Sequence, residues 1–480
     1  MRFKAITRGP GCAIPRLILG GMLAAFFLTA AARAAPGDLL LSIPQPEGPS
    51  GGLFGTFFGH SLATGDGYIV VGAEEETVAG VRAAGAAYVF DAWTGELMHR
   101  LTSLDPNFLS KFGHTVAIDS GRVIVGPSGD FVDIFDVDSG EHLTSLSVSG
   151  KALAASGGKI LTGNRTLHVD GMNSVGGAYL FDARTGDLEL PLPNPFPAPH
   201  HEYGVSVAFS RNRPVIGAHF YDATEMTNDN SGRVYVLDPM SGEPVVILEN
   251  PDPQPDAILP RRFGENIATT GDKIIVGATN SASFGFAYAF DGATGELLFR
   301  ISKPTPGRQV EFAENVATVG GNILVTESRD EIGGSVYLFD GQTGELLLKI
   351  SNPDPEAGTG FGRAVTALDG DIVVGTWNAN TVYVFEGVPD IPVGDTDGDG
   401  DVDIDDLNAV RNHFGRVGAD DGTLPGDTWP YNGAVDITDL NRTRNYFGNA
   451  RGTAAAVPEP AALLLATLTA LVALTARRSR

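Results

Sequence analysis

Cysteine is nearly absent: Cys12 is the only one in 480 residues, and it lies in a basic, then apolar, leader. Disulfides and Cys-based metal centres are therefore excluded from everything beyond the leader, whose stability must come from burial or bound metal. Positive charge is also scarce, with 33 basic against 58 acidic residues and a formal net charge of −25. The five basic residues before Ala35 and the net +2 of residues 457–480 lie at the ends, so residues 35–456 carry −32. That balance argues against nucleic acid and favours solubility and cation binding. Neither a nucleophile elbow nor a phosphate-binding Gly-rich loop followed by Lys occurs. Long apolar runs are confined to the two ends of the chain.

What the chain has in abundance is repetition. The stretch from Gly85 to Leu97, with Tyr88-Val89-Phe90-Asp91 followed by Thr94-Gly95, returns around Asp136, Asp182, Asp238, Asp291 and Asp340. The aspartates are 45, 46, 56, 53 and 49 residues apart, a period that signals a repeat architecture. Each Tyr-Val-Phe run is continuous in apolar β-formers, which predicts a strand buried on both faces. Asp-x-x-Thr/Ser-Gly then supplies a turn, because Asp and Thr side chains bond nearby backbone and Gly accepts a positive φ. The aspartate is expected to shape the turn, not to catalyse.

A second segment precedes each hairpin. Phe58-Gly59-His60, followed by Tyr68-Ile69-Val70-Val71-Gly72-Ala73, recurs from Phe112, Ser149, Tyr203, Phe263, Phe312 and Phe361, making seven units. Each unit reads as four short strands, the content of a propeller blade. The seventh stops at Phe385-Glu386-Gly387 without a fourth strand, while an orphan strand, Gly37 to Ile43, stands before the first unit. A closed ring uses that spare strand to complete the last blade and hide the edges. The predicted fold is thus an all-β, seven-bladed β-propeller over residues 35–388.

The Phe-Gly and Val-Gly-Ala segments resemble the FG-GAP repeats of integrin-alpha-like β-propellers, over residues 37–388. The hairpin also resembles the repeat of quinoprotein dehydrogenases, whose pattern places a tryptophan four residues past the turn glycine. Those positions here hold His99, Thr144, Leu190, Val246, Phe299 and Leu348, so that tryptophan is missing throughout.

After a linker (389–394), Asp395-Thr396-Asp397-Gly398-Asp399-Gly400-Asp401-Val402-Asp403-Ile404-Asp405-Asp406 has the alternation of a twelve-residue calcium loop. Ca²⁺ takes six to eight oxygens, and the loop offers Asp395, Asp397, Asp399, the Asp401 carbonyl, Asp403 through water, and Asp406. Gly400 allows the turn, and a helix is predicted from Leu407 to Phe414, ended by Gly415. One loop with one helix and Asp at position twelve resembles half of a type I dockerin, a module spanning residues 395–449. Its second half, Asp427 to Asp439, departs from the pattern, with Thr428 and Pro430 at ligand positions; it either holds a second ion or packs without one. The resemblance implies a cohesin-like partner, although the recognition positions hold Ile404-Asp405 and Ile437-Thr438 where dockerins carry small hydroxyl pairs.

The two ends read as targeting segments. Arg2, Lys4, Arg8 and Arg16 precede the apolar run Leu17 to Ala31, and Ala32-Arg33-Ala34 offers a cleavage site, so residues 1–34 are expected to be a signal peptide. After a spacer (450–456), Val457-Pro458-Glu459-Pro460 is followed by apolar residues from Ala461 to Ala476 and by Arg477-Arg478-Ser479-Arg480. As a helix this run would reach about 24 Å, close to a hydrocarbon core, with its arginines on the cytoplasmic side. The arrangement resembles a PEP-CTERM sorting signal of bacteria with an outer membrane. It implies processing by an exosortase and delivery to the cell surface or extracellular matrix; a permanent transmembrane anchor is the alternative.

Three further groups carry ligand-type residues. His200-His201-Glu202 has metal-ligand residue types, but adjacent side chains on an extended chain point different ways. Thr227 to Gly232 offers alternating oxygens for Ca²⁺ or is a polar loop. The residue after each Phe-Gly pair or its counterpart (Ser149-Gly150, Tyr203-Gly204 and Phe312-Ala313), namely His60, His114, Lys151, Val205, Glu265, Glu314 and Arg363, would ring one mouth of the channel if the first strand of each blade is innermost. Such a ring either binds a ligand or pairs with itself. The reading is a non-catalytic, Ca²⁺-binding surface propeller that binds a protein or polysaccharide. A tethered enzyme acting on extracellular polysaccharide is the alternative, and a quinone-dependent oxidoreductase a more distant one.

Overall fold

The computed structural model describes residues 35–47, 51, 55–128, 131–221, 231–253, 262–279, 285–304, 312–330, 333–355, 360–387, 396, 402, 404–417, 434, 435, 440 and 443. It is a seven-bladed β-propeller. Seven four-stranded antiparallel sheets form seven blades, and their innermost strands neighbour one another round the ring. Those inner strands include Phe58–Gly65 in blade 1, Thr115–Asp119 in blade 2 and Ala364–Leu368 in blade 7.

The core lies between blades. Seven hydrophobic clusters each draw on two successive sheets. In the third strand of blade 1, Tyr88 and Phe90 enter the cluster shared with blade 7, whereas Ala87 and Val89 enter the one shared with blade 2. Alternate residues of a strand leave opposite faces of the sheet, so a strand with a core on each side must be apolar throughout. An aromatic from six of the seven inner segments, Phe58, Phe112, Tyr203, Phe263, Phe312 and Phe361, is fully buried. In blade 3, where Ser149 holds that position, Val148 is the buried neighbour.

The hairpin turns form as their residue types dictate. Asp91 Oδ1 accepts hydrogen bonds from the Trp93 and Thr94 amides (3.1 and 2.8 Å) and the Thr94 hydroxyl (2.8 Å). Asp182, Asp238, Asp291 and Asp340 make the same three bonds, and Asp136 makes the two to Ser139. Gly95 then turns at φ +70°, and a Cβ there would stand 2.9 Å from Leu41 of blade 7. The same seat, under the next blade's turn glycine, is taken by His99, Thr144, Leu190, Val246 and Phe299, and Leu348 lies under Gly37. These are the positions four residues past each glycine, so the site where quinoproteins place tryptophan is filled here by assorted smaller side chains.

Closure completes this cycle. The strand Leu39–Pro44 pairs with Thr381–Phe385 as the outer strand of blade 7. The turn that would join them is split between the two ends of the propeller, yet it keeps its bonds. Gly37 N donates to Glu386 O and Glu386 N to Asp38 O, both at 2.8 Å, as Gly95 N does to Asp91 O and Asp91 N to Glu96 O. Even the register irregularity is shared, with Leu40 bulged where Met98 is in blade 1. Nearer the axis, Gly113 stands at φ +86°, and a Cβ on Gly72 would collide with its carbonyl. Glycine on glycine lets the inner ends of two blades meet backbone to backbone.

Beyond the propeller, the helix α1 (Ile404–His413) ends before Gly415 at φ +83°. It begins three residues earlier than predicted, because Asp405 and Asp406 in the first turn complement the helix dipole. Residues 415–417 then pair with the second half-loop through Gly415 N to Val435 O and a Val417–Ala434 bridge. Among the described residues no helix is long and apolar enough to cross a membrane; residues 1–34, expected to be a signal peptide, and residues 457–480 lie outside them.

Ile43 is 2% exposed between blades 7 and 1, whereas Leu40 on the same strand is 42% exposed. Ile43→Ala should therefore lower the unfolding free energy of the chain by about 2–5 kcal/mol in urea titrations. Leu40→Ala should cost less than about 1 kcal/mol. Equal effects would mean that the N-terminal strand does not close the ring.

Candidate functional site

The seven residues that follow the inner aromatic-glycine pairs, or Ser149-Gly150 and Phe312-Ala313 in their place, line one cavity of about 580 Å³ at the mouth of the channel: His60, His114, Lys151, Val205, Glu265, Glu314 and Arg363. The cause is the repeat itself. The same position at the entry to each inner strand lands at the same height on the axis, so seven sequence-distant residues converge.

A second set stands behind this ring. Glu74, Arg165, His219, Thr279, Ser328 and Trp377 each lie two residues past the position that ends the second strand's apolar run, usually glycine (Gly72, Gly163, Gly217, Gly277 and Gly375). Glu74 accepts from His114 Nδ1 at 2.6 Å and lies 3.6 Å from Lys111 Nζ. Glu314 pairs with Arg363 at 2.5 Å and accepts the Ser328 hydroxyl. His219 and Arg165 both reach Glu202, at 3.0 and 3.1 Å, and Arg262 pairs with Glu265 at 3.0 Å. Arg363 also lies 3.1 Å from His60 Nε2 and 5.5 Å over the Trp377 ring. Sequence reasoning missed this second set. Its signal was the common offset from the strand's end, hidden because its residue types differ from blade to blade.

The surroundings shift the titration of His60, Glu74 and Glu202. Burial, and then the Arg363 charge, push His60 down to about 4, against the smaller upward pull of Glu74. Burial alone would raise Glu74, but the His114 hydrogen bond and the charges of His60, His114 and Lys111 outweigh it and hold the carboxyl at about 2. Glu202 is likewise raised by burial and lowered more by its His219 bond and charge and by Arg165.

His200-His201-Glu202 does not assemble. His201 is buried and bonds the Phe196 carbonyl at 3.0 Å, while Glu202 turns to His219 and Arg165. Residues 227–230 of the second candidate loop lie outside the described residues. So do Asp395, Asp397, Asp399, Asp401 and Asp403 of the calcium loop. Asp406 is described: it is 1% exposed, and its Oδ1 accepts the Thr396 amide at 2.5 Å and hydroxyl at 3.1 Å. Position twelve of the loop therefore reaches back to position two.

No protein-family model and no curated protein matches the chain. Among solved structures, the computationally designed Ika8 protein is similar, at 17% identity and a TM-score of 0.42, over 71% of this chain and 100% of that one.

The folded-state value of His60 lies below its ordinary 6.5, so the unfolded chain binds the extra proton first. Its contribution to stability is complete above about pH 6.5 and is lost as pH falls toward 4. Thermal unfolding between pH 7 and 4 should show this decline, reduced in His60→Asn. A His60 proton-resonance midpoint at or above 6.5 would contradict the described environment.

Proposed function

We propose that the chain is a non-catalytic, Ca²⁺-binding β-propeller at the bacterial cell surface that holds a protein or polysaccharide ligand at its channel mouth. The observation that carries this reading is the pairing, among the described residues, of the carboxylates at or just behind the mouth: Glu74 with His114, Glu202 with His219 and Arg165, Glu265 with Arg262, and Glu314 with Arg363. An enzyme hydrolysing glycosides needs one carboxylic acid with a raised pKa, and Glu74 and Glu202 are held low instead. Donors and acceptors around about 580 Å³ suit recognition, because a polar ligand can replace their mutual bonds without moving the strands that carry them.

The acidic segment after the propeller is read as a type I dockerin-like module. Asp395, Asp397, Asp399, Asp403 and Asp406 and the Asp401 carbonyl would hold Ca²⁺, a hard cation suited to an all-oxygen donor set. The closure of the loop by Asp406 onto Thr396, at the start of α1, supports this. The signal peptide, the PEP-CTERM-like end and exosortase processing complete the reading of an exported, surface-delivered protein, with the C-terminal helix as its membrane anchor before processing. A cohesin-like domain is the partner this module implies.

Two outcomes test these assignments. Calorimetric titration of Ca²⁺ into the chelator-stripped chain should show binding that Asp395→Ala combined with Asp399→Ala removes; no heat in the wild type would end the dockerin reading. In a screen of surface polysaccharides and envelope proteins, the ligand retained by the wild type should bind about tenfold or more weakly to Arg363→Ala, which also unpairs Glu314. Retention unchanged by that substitution would move the binding surface away from the mouth.

A further inference from the structure

Among the described residues, two imidazoles and a carboxylate converge at the mouth at the junction of blades 1 and 2. His60 stands on the inner strand of blade 1, Glu74 just past its second strand and His114 just before the inner strand of blade 2. One donor atom from each lies within 4.8 Å of the other two. The imidazole rings are stacked with centroids 5.5 Å apart and planes 27° apart. Glu74 is 3% exposed and lies between them, 2.6 Å from His114 Nδ1 and 3.9 Å from His60 Nε2.

From this geometry we infer that the blade 1–blade 2 junction is a transition-metal site of the two-histidine, one-carboxylate kind, taking Zn²⁺ or a similar borderline cation, with its remaining coordination position open to the channel. Donors sharing a tetrahedral Zn²⁺ at about 2.0–2.2 Å stand roughly 3.3–3.6 Å apart, so small side-chain rotations convert the present spacings into a coordination set. Imidazole nitrogen selects Zn²⁺, Cu²⁺ or Ni²⁺ over the hard Ca²⁺ expected in the aspartate loop, so the two sites answer to different ions.

The neighbouring cations do not block this. Lys111 keeps Glu75 at 3.1 Å when it releases Glu74, and Arg363 keeps Glu314 at 2.5 Å when it releases His60. Without metal the arrangement is incompletely satisfied, since His60 Nδ1 and Arg363 Nε are both buried without a hydrogen-bond partner. Both histidines line the cavity, so a bound ion with an open position would face whatever enters the channel. The inference does not depend on the identity of that ligand, because the metal alone is the probe.

The test is titration of Zn²⁺, with Co²⁺ as a spectroscopic stand-in, into the chelator-treated full chain in excess Ca²⁺ that fills the aspartate loop. The wild type should bind one Zn²⁺ with micromolar or tighter affinity and give visible Co²⁺ absorption bands of low-coordinate geometry. His114→Ala and Glu74→Gln should each weaken binding by about tenfold or more and diminish the bands. His168→Ala removes a histidine outside the cluster and should change neither; if His114→Ala fails to fold, Glu74→Gln and His60→Asn carry the comparison. No zinc uptake by the wild type, or equal uptake by wild type and cluster variants, would overturn the assignment. Loss of polysaccharide or protein binding with zinc uptake intact would count against the proposed ligand instead.

Discussion

The hairpin turn at the outer edge of each blade does two jobs with five residues. Its aspartate accepts the amides that would otherwise go unpaired at the reversal, and its glycine removes the side chain that would keep the next blade away. Everything inward of that contact follows from how closely two sheets then approach. The third strand acquires a core on each face, the second strand supplies small and β-branched residues to fill it, and the inner aromatic seals it near the axis. Because each blade sits on its neighbour, no blade has a complete core of its own. The ring is stable only when the seventh interface is made, which is why Gly37 and Glu386, almost the length of the propeller apart in sequence, reproduce the bonds of a continuous turn.

That scaffold explains the character of the mouth. Positions near the axis are relieved of packing duty, because the aromatic one residue before the glycine already fills the interface. They are free to differ from blade to blade, and they do: two histidines, a lysine, an arginine, two glutamates and a valine occupy equivalent places. The strands hold them at fixed height, and nearby basic side chains pair with the carboxylates there: Arg363 with Glu314, Arg262 with Glu265, His114 with Glu74, and His219 and Arg165 with Glu202. Charge is balanced locally at the mouth even though the chain as a whole is strongly acidic. The surplus negative charge is concentrated in part in the aspartate loop, where a hard cation would offset it.

Much of this was legible from the residues. The repeat period, four strands per unit and the orphan N-terminal strand lead to a closed seven-bladed ring, and the inner-strand register led to the seven mouth residues. The role of the turn aspartates was readable because Asp-x-x-Thr-Gly is a local device, satisfied by neighbours within three residues. Less legible was the use of the position four residues past each turn glycine. It holds His, Thr, Leu, Val and Phe in turn, and only the adjoining blade's glycine makes them equivalent. Glu74, His219 and Arg165 escaped notice for the same reason, since their partners Glu202 and His114 come from other blades or loops.

By itself, then, the sequence determined the period, the strand content, the turn chemistry and the closure, all of which depend on residues near one another or on a pattern repeated along the chain. It also placed seven residues on one rim, because a repeat converts sequence register into height. Only the tertiary structure decided which of those residues touch. Blade 7 meets blade 1 through Arg363 and His60, and blade 1 meets blade 2 through Glu74 and His114. Whether unlike charges at a rim pair, cluster or stand apart depends on the distance across an interface. That distance is set by the packing of every side chain in the core beneath it.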